Sequence, residues 1–339
     1  MSELRFDPIR KRWVIIAPER KMRPFAFCER DEVEEGECPF CEGKENLTPP
    51  ETFAIGPSNR EANSPGWRVR VVPNKFPALR PDINFEIGES RYFKILKGFG
   101  YHEVIIETPR HDYPLWERRI EEIRDMLIAI RERIKFFYQD VRISYVLLFG
   151  NYGRDAGASL SHPHSQIVAL PIIPEIIENE VRAGRTHYLK NKRCLICDIL
   201  SEELKSGKRI VTQTNGYIVW EPYASSHPFE TWILPENHEC DFSVLDNNEL
   251  KKTASVLKET LLRINKFLKN PPFNLVLHTA YNLKYATKNE KDIVRNSYHW
   301  HFEIISRMSH IAGFEWGTGI NINPVSPEEA ANCLREVDL

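Results

Sequence analysis

The chain has almost no net charge: 46 lysines and arginines against 48 aspartates and glutamates leave −2 over 339 residues. A nucleic-acid partner or an anionic membrane surface would call for an excess of basic residues, so those functions are set aside. Long apolar runs are also missing, and none approaches the roughly 20 residues that span a bilayer. The opening stretch Met1-Ser2-Glu3-Leu4-Arg5-Phe6-Asp7-Pro8 carries no apolar segment of a secretory leader. The expectation is a soluble, cytoplasmic protein without a membrane partner. With no leader, seven cysteines have no oxidising compartment in which to form structural disulfides, and metal binding is the better use of them. What is present is ordinary globular composition, 42% hydrophobic and 28% charged, with length for about two domains.

The chain repeats one design. Apolar residues Ile120, Ile123, Leu127, Ile130, Ile134 and Phe137 recur at intervals of three and four and predict an amphipathic helix over 116–137. Leu257, Leu261, Ile264 and Leu268 predict a second over 249–268, with Asp246 as N-cap and Glu249 as its capping partner. Before each helix runs an alternating strand whose turn closes with histidine, His111 in one case and His238 in the other. After each comes a further strand and then a His-x-His: His162-Pro163-His164 and His299-Trp300-His301. Each half also opens with a Cys-x-x-Cys, Cys38/Cys41 and Cys194/Cys197. The same order occurring twice marks an internal duplication. The fold class is α+β, two halves (1–190 and 191–339) that are each an antiparallel sheet with one long helix.

Around Cys38 and Cys41, Glu34-Glu35-Gly36-Glu37 and Thr48-Pro49-Pro50 read as loop, so the strand-to-helix setting of a thioredoxin-type redox pair is lacking. Structural zinc takes four N/S ligands, often two from such a knuckle. The first set is Cys38, Cys41, His111 and His162; the second is Cys194, Cys197, His238 and His299. Buried free thiols are the plainer reading of each pair. In an extended strand, His162, His164 and Gln166 share one face. Upstream, Asn151-Tyr152-Gly153-Arg154-Asp155-Ala156-Gly157-Ala158-Ser159 is a small-residue loop able to bring amides close to an anion. Imidazoles beside such a loop suggest phosphate chemistry, and zinc on His162 would hold His164 at a set angle. Two solvated surface histidines are the plain alternative.

Cys38-Pro39-Phe40-Cys41, Asn74-Lys75-Phe76-Pro77-Ala78-Leu79 and His162-Pro163-His164-Ser165-Gln166 resemble the galactose-1-phosphate uridylyltransferases, the transferase branch of the histidine-triad superfamily, over nearly the whole chain. The resemblance implies two tandem histidine-triad-like halves and ping-pong transfer of UMP from UDP-glucose to galactose 1-phosphate. It makes His164 the nucleophile and lines the pocket with Arg23, Asn74, Asn151, Ser159 and Gln166. It also gives Glu315 and Asn321 as sugar contacts, Asn321 standing where the family has glutamine. Imidazole is a good nucleophile near neutral pH. Gln166 replaces the third histidine of the hydrolases, and an amide can bind a phosphoryl oxygen but cannot shuttle a proton, which favours transfer over hydrolysis. Arg20, Arg23 and the amides of Gly157, Ala158 and Ser159 would stabilise the transition state.

In the second half Glu303 stands where Gln166 does, and a carboxylate there repels phosphate, so that half is expected to be catalytically silent. Some bacterial relatives carry an iron bound by one glutamate and three histidines; the matching residues are Glu180, His278, His299 and His301, which compete with the zinc set for His299. The Gly317-Thr318-Gly319 segment, Asn323-Pro324 and the second cysteine pair resemble a plant-type branch that uses ADP-glucose and moves AMP. A zinc-stabilised nucleotide-binding module without turnover is the reading from another class. Members of the family are dimers, so the resemblance also implies a homodimer.

Overall fold

The computed structural model describes residues 2–18, 37–309 and 312–339. In chain order the elements are β1 (Glu3–Asp7), β2 (Arg12–Ile16), β3 (Phe53–Ile55), β4 (Val69–Pro73), β5 (Ile87–Glu89), β6 (Lys94–Leu96), β7 (Tyr101–Ile106), α1 (Ile120–Phe137), β8 (Tyr145–Tyr152) and β9 (His164–Leu170). There follow α2 (Glu175–Asn191), α3 (Leu195–Ser206), β10 (Ile210–Thr214), β11 (Tyr217–Trp220), β12 (Thr231–Pro235), α4 (Asn247–Leu268), β13 (Phe273–His278), α5 (Lys288–Ser297), β14 (His301–Ser306), α6 (Gly313–Thr318), β15 (Asn321–Asn323) and α7 (Pro327–Arg335).

The two halves do not form separate sheets. They join edge to edge in one ten-stranded sheet ordered β10-β11-β12-β14-β13-β8-β9-β7-β4-β3. Its seam is the antiparallel pairing of β8 with β13, Leu275 opposite Gly150. Read outward from that seam, each side has the same five strands in the same spatial order, so the fold is α+β with the duplication expressed as a single sheet. The pairings between neighbours are antiparallel.

One face of the sheet makes the main core. Ile105, Ile167, Ala169 and Val146 on the first side and Val219, Ile233, Leu275 and Ile304 on the second pack with Ile123, Leu127, Ile130 and Ile134 of α1 and Leu250, Leu257, Leu261 and Ile264 of α4. The three-and-four spacing of those helix residues puts them in one stripe that only an apolar surface can cover, which is why both long helices lie on this face. Asp246 caps α4, its Oδ1 accepting from the amides of Asn248 and Glu249 at 2.8 Å. The Glu249 carboxylate takes Lys252.

The other face carries His164 and Gln166. A small sheet of β1, β2 and β15 sits against the second half, where the Asn323 amide donates to the carbonyls of Ser225 and His227, each at 3.0 Å. Helix α2 packs on α3 and α5, so both the N-terminal hairpin and this helix lie with the second half. No helix among the described residues is long and apolar enough to cross a membrane.

Candidate active site and metal centres

Strand β9 begins at His164, and from there burial alternates: Ser165, Ile167 and Ala169 are buried toward the helices, while His164, Gln166 and Val168 face the opposite side. His162 precedes the strand, is completely buried, and turns its Nδ1 toward Cys41. The proline between the two histidines lacks an N–H for a sheet ladder, which suits a chain leaving the strand at this point.

Cys38, Cys41, His111 and His162 converge, with one donor atom from each lying within 4.8 Å of the others. Cys41 Sγ is 3.4 Å from His111 Nδ1 and 3.7 Å from His162 Nδ1. Bond lengths of about 2.3 Å to sulfur and 2.0 Å to nitrogen around a tetrahedral ion give S···N edges of roughly 3.6 Å, so the set fits one. The outer ring nitrogens are held as ligating imidazoles require: His162 Nε2–H donates to the Thr108 carbonyl and His111 Nε2–H to Ser161 Oγ, both at 2.8 Å. Burial pushes His162 down to about 4, keeping its lone pair free of a proton at neutral pH.

The second set repeats this geometry. Cys197 Sγ is 3.4 Å from His238 Nδ1 and 3.5 Å from His299 Nδ1, while His238 Nε2–H and His299 Nε2–H donate to the carbonyls of Arg295 and Pro235. A side-chain hydrogen bond from Cys194, reinforced by the two imidazoles, holds the Cys197 thiol well below its usual range. Because His299 is engaged here, the iron-type set of Glu180, His278, His299 and His301 does not assemble. Glu180, His278 and His301 group with Glu303.

The first knuckle reaches β9 directly. The Phe40 ring, between Cys38 and Cys41, packs edge-on to His164 with centroids 5.2 Å apart. His164 Nδ1–H donates to the His162 carbonyl at 2.8 Å. With that nitrogen carrying the proton, the Nε2 lone pair is left available, the tautomer a nucleophile needs. Behind the strand, Ser165 Oγ donates to Glu107, whose other oxygen pairs with buried Arg118 at 2.9 Å.

Gln166 is gripped by its carbonyl. Asn74 Nδ2–H donates to Gln166 Oε1 at 3.2 Å and His102 Nε2–H at 2.8 Å. His102 Nδ1 in turn accepts from the Ala78 amide at 3.1 Å, and Asn74 Oδ1 accepts from the Phe76 amide. The loop over residues 74–79 is thereby tied to β9, and the Gln166 NH2 group remains as the donor end. His102, Glu107 and Arg118 were not singled out in the sequence. His102 alone left a trace there, being two residues before Val104 in an alternating strand.

The loop after β8 needs glycine at two points, with φ of 82° at Gly153 and 88° at Gly157. The expectation that its amides all face an anion is corrected: the Gly157 N–H donates to the Arg154 carbonyl at 2.7 Å and the Ala158 N–H to the Gly153 carbonyl at 3.2 Å. Those two donors are used in closing the turn, whereas exposed Ser159 lies just beyond it. Asn151 is held from the second half, its Oδ1 accepting from Asn274 at 2.8 Å. Glu315 accepts from the Ala312 amide at the start of α6, and Asn321 pairs with Val14 in the small sheet. Neither is hydrogen-bonded to His164, Gln166 or Asn74 among the described residues. Arg20 and Arg23 lie outside the described residues.

A freed imidazole nitrogen beside an oriented amide, on a sheet built from two copies of one unit, defines a nucleotidyltransferase. Galactose-1-phosphate uridyl transferase N-terminal and C-terminal domain models match residues 1–174 and 149–338. The chain belongs to the galactose-1-phosphate uridylyltransferase family. It is 36% identical over 346 residues to an ADP-glucose phosphorylase of Arabidopsis thaliana, covering 99% of this chain and 93% of that protein. It is 29% identical over 349 residues to a galactose-1-phosphate uridylyltransferase of Thermotoga maritima, covering 100% and 99%. The crystal structure of an Arabidopsis thaliana ADP-glucose phosphorylase with bound ADP-glucose superposes with TM-score 0.85 at 34% identity, covering 100% of both chains.

Proposed function

We propose that this chain moves a nucleoside monophosphate from a nucleotide sugar to a phosphate acceptor through a covalent intermediate on His164. The observation that carries it is the Nδ1–H bond from His164 to the His162 carbonyl. It leaves Nε2 as the attacking atom on the face shared with Gln166. Nε2 attacks the α-phosphorus, an N–P bond forms, the bond from that phosphorus to the bridging oxygen breaks, and the sugar 1-phosphate leaves. An acceptor phosphate oxygen then takes the nucleotide and the N–P bond breaks. The Gln166 NH2 binds a phosphoryl oxygen through both steps and carries no proton to water, which keeps hydrolysis slow. Ions at the two Cys/His sets, zinc by their ligand chemistry, would fix His162 and the Phe40 knuckle and so the angle of His164.

For the donor we favour ADP-glucose with inorganic phosphate as acceptor. Similarity to the Arabidopsis thaliana ADP-glucose phosphorylase in sequence and fold supports it. UDP-glucose with galactose 1-phosphate is the second reading, supported by the family models and the Thermotoga maritima relative. Glu315 and Asn321 lie on a segment docked to the second half, so a partner chain in a homodimer would bring them to the sugar. Isotope exchange decides the donor: labelled glucose 1-phosphate, with no acceptor added, should pass into ADP-glucose. Exchange into UDP-glucose alone would favour the second reading. Exchange into neither would exclude the covalent route.

A further inference from the structure

The second copy of the catalytic strand ends in a buried cluster. His301 occupies the place of His164 and repeats its hydrogen bond, Nδ1–H donating to the His299 carbonyl at 3.1 Å. Its Nε2, however, lies 3.1 Å from Glu303 Oε1. That same oxygen is 3.4 Å from His278 Nδ1, and Glu180 Oε1 is 3.1 Å from His278 Nδ1. Two carboxylates and two imidazoles, all buried, thus bring their donor atoms within 4.8 Å of one another, a set that by chemistry suits a divalent cation such as manganese or iron(II).

The cluster already touches a cation. Arg10, in the turn between β1 and β2, reaches in from the small sheet. Its Nη2 bonds Glu303 Oε1, the oxygen on which both imidazoles converge. Its Nε is 3.3 Å from Glu180 Oε1 and its Nη1 3.5 Å from Glu230 Oε1. The guanidinium lies over the Trp232 ring, 5.0 Å from its centroid, and that ring stacks on His301 at 4.2 Å. Arg10 is 8% exposed. A divalent ion coordinated by Glu303 would sit against a fixed positive charge with little solvent between them, where Coulomb repulsion is weakly screened. The fourth ligand of the iron-type set, His299, is meanwhile held beside Cys197.

We infer that the Arg10 guanidinium is the resident cation of this cluster, seated where the same donors would otherwise take a divalent metal ion. The N-terminal hairpin thereby closes the duplicate site, and no metal enters it while Arg10 is present. The inference concerns the second half alone and holds whichever nucleotide His164 carries.

The test is manganese uptake by the full-length protein with both Cys/His sets loaded with zinc. Wild type, dialysed against manganese(II), should hold none by elemental analysis, and soaked crystals should show no anomalous peak among Glu180, His278, His301 and Glu303. Arg10→Met should take up about one manganese per chain and melt at higher temperature with the ion than without it, as binding to the folded state requires. Adding Glu303→Gln to Arg10→Met should remove that uptake. A manganese peak at the cluster in wild type overturns the inference, as does a folded Arg10→Met that binds none. If Arg10→Met does not fold, the wild-type soak still decides, and Arg10→Lys, which keeps the charge, should also exclude manganese.

Discussion

The two halves place the same strand, the same histidine and the same carbonyl hydrogen bond in opposite settings. Across the first half, Gln166 stands opposite Val104, which stands opposite Val72. Across the second, the matching row is Glu303, Trp232 and Trp220. In the first half Val72 and Val104 pack with Trp67 and Phe40 beside a half-buried His164, whereas in the second His301 is fully buried against Trp232. Helix α2 supplies Glu180 and the N-terminal turn supplies Arg10 to cover what remains. On the proposed assignment, the second site is closed by the cover of Trp232, Glu180 and Arg10 as much as by Glu303 standing where the first half has Gln166. The Cys/His sets that could hold a metal persist in both halves.

The largest effect that could break this comparison is at the histidines themselves. His164→Gly should lower nucleotidyl transfer by roughly 10^4-fold or more, the scale seen when a nucleophile is removed, and a preformed nucleoside phosphoimidazolide should restore transfer. A pure binding module has no turnover to restore. His301→Gly should leave covalent labelling intact and show its effect in the melting temperature, since it empties a packed site.

Next come the knuckles. Cys38→Ser and Cys194→Ser should both lower the melting temperature, as should chelation, and before chemistry is lost. Only Cys38→Ser should also cost about 10- to 100-fold in turnover, because only its knuckle reaches a nucleophile through Phe40 and His162. Equal turnover losses in the two variants would erase the proposed division of labour.

Smaller again is a pH effect confined to the second half. Glu221 is fully buried, accepts one bond from Thr231 Oγ1, and has its other oxygen without a partner. Burial raises its carboxyl well above the usual 4.5. The folded chain therefore holds a proton that the unfolded chain releases. Its stabilising contribution is complete below that usual value and declines as pH rises toward the folded one. Glu221→Gln should abolish that decline and stabilise the protein at neutral pH by about 1–3 kcal/mol, measured by denaturant unfolding across pH. The smallest effect is at His102. Losing the bond to Gln166 Oε1 in His102→Leu should cost about 10-fold in kcat/KM, near the 1.4 kcal/mol expected of one hydrogen bond, with little change in melting temperature.

Much of this was legible because the duplication is sequential. Cysteine pair, strand, histidine, helix, strand and His-x-His recur in order, so both long helices and both Cys/His sets could be read directly. Three things could not. The joining of the halves through β8 and β13 depends on edge pairing, which leaves no pattern in either strand. The complete burial of His162 against the first knuckle lies ahead of β9, where no strand alternation reports it. Arg10, His102 and Asn274 act across 293, 64 and 123 residues of chain on Glu303, Gln166 and Asn151, and no local periodicity announces such partners.

The comparison rests on one histidine being open and the other closed. Incubating the protein with nucleotide sugar labelled at the α-phosphorus, without acceptor, and locating the alkali-stable label by peptide mapping tests this directly. The label should fall on the peptide containing His164 and on no peptide containing His301. Label on His301, or none on either, would contradict the account.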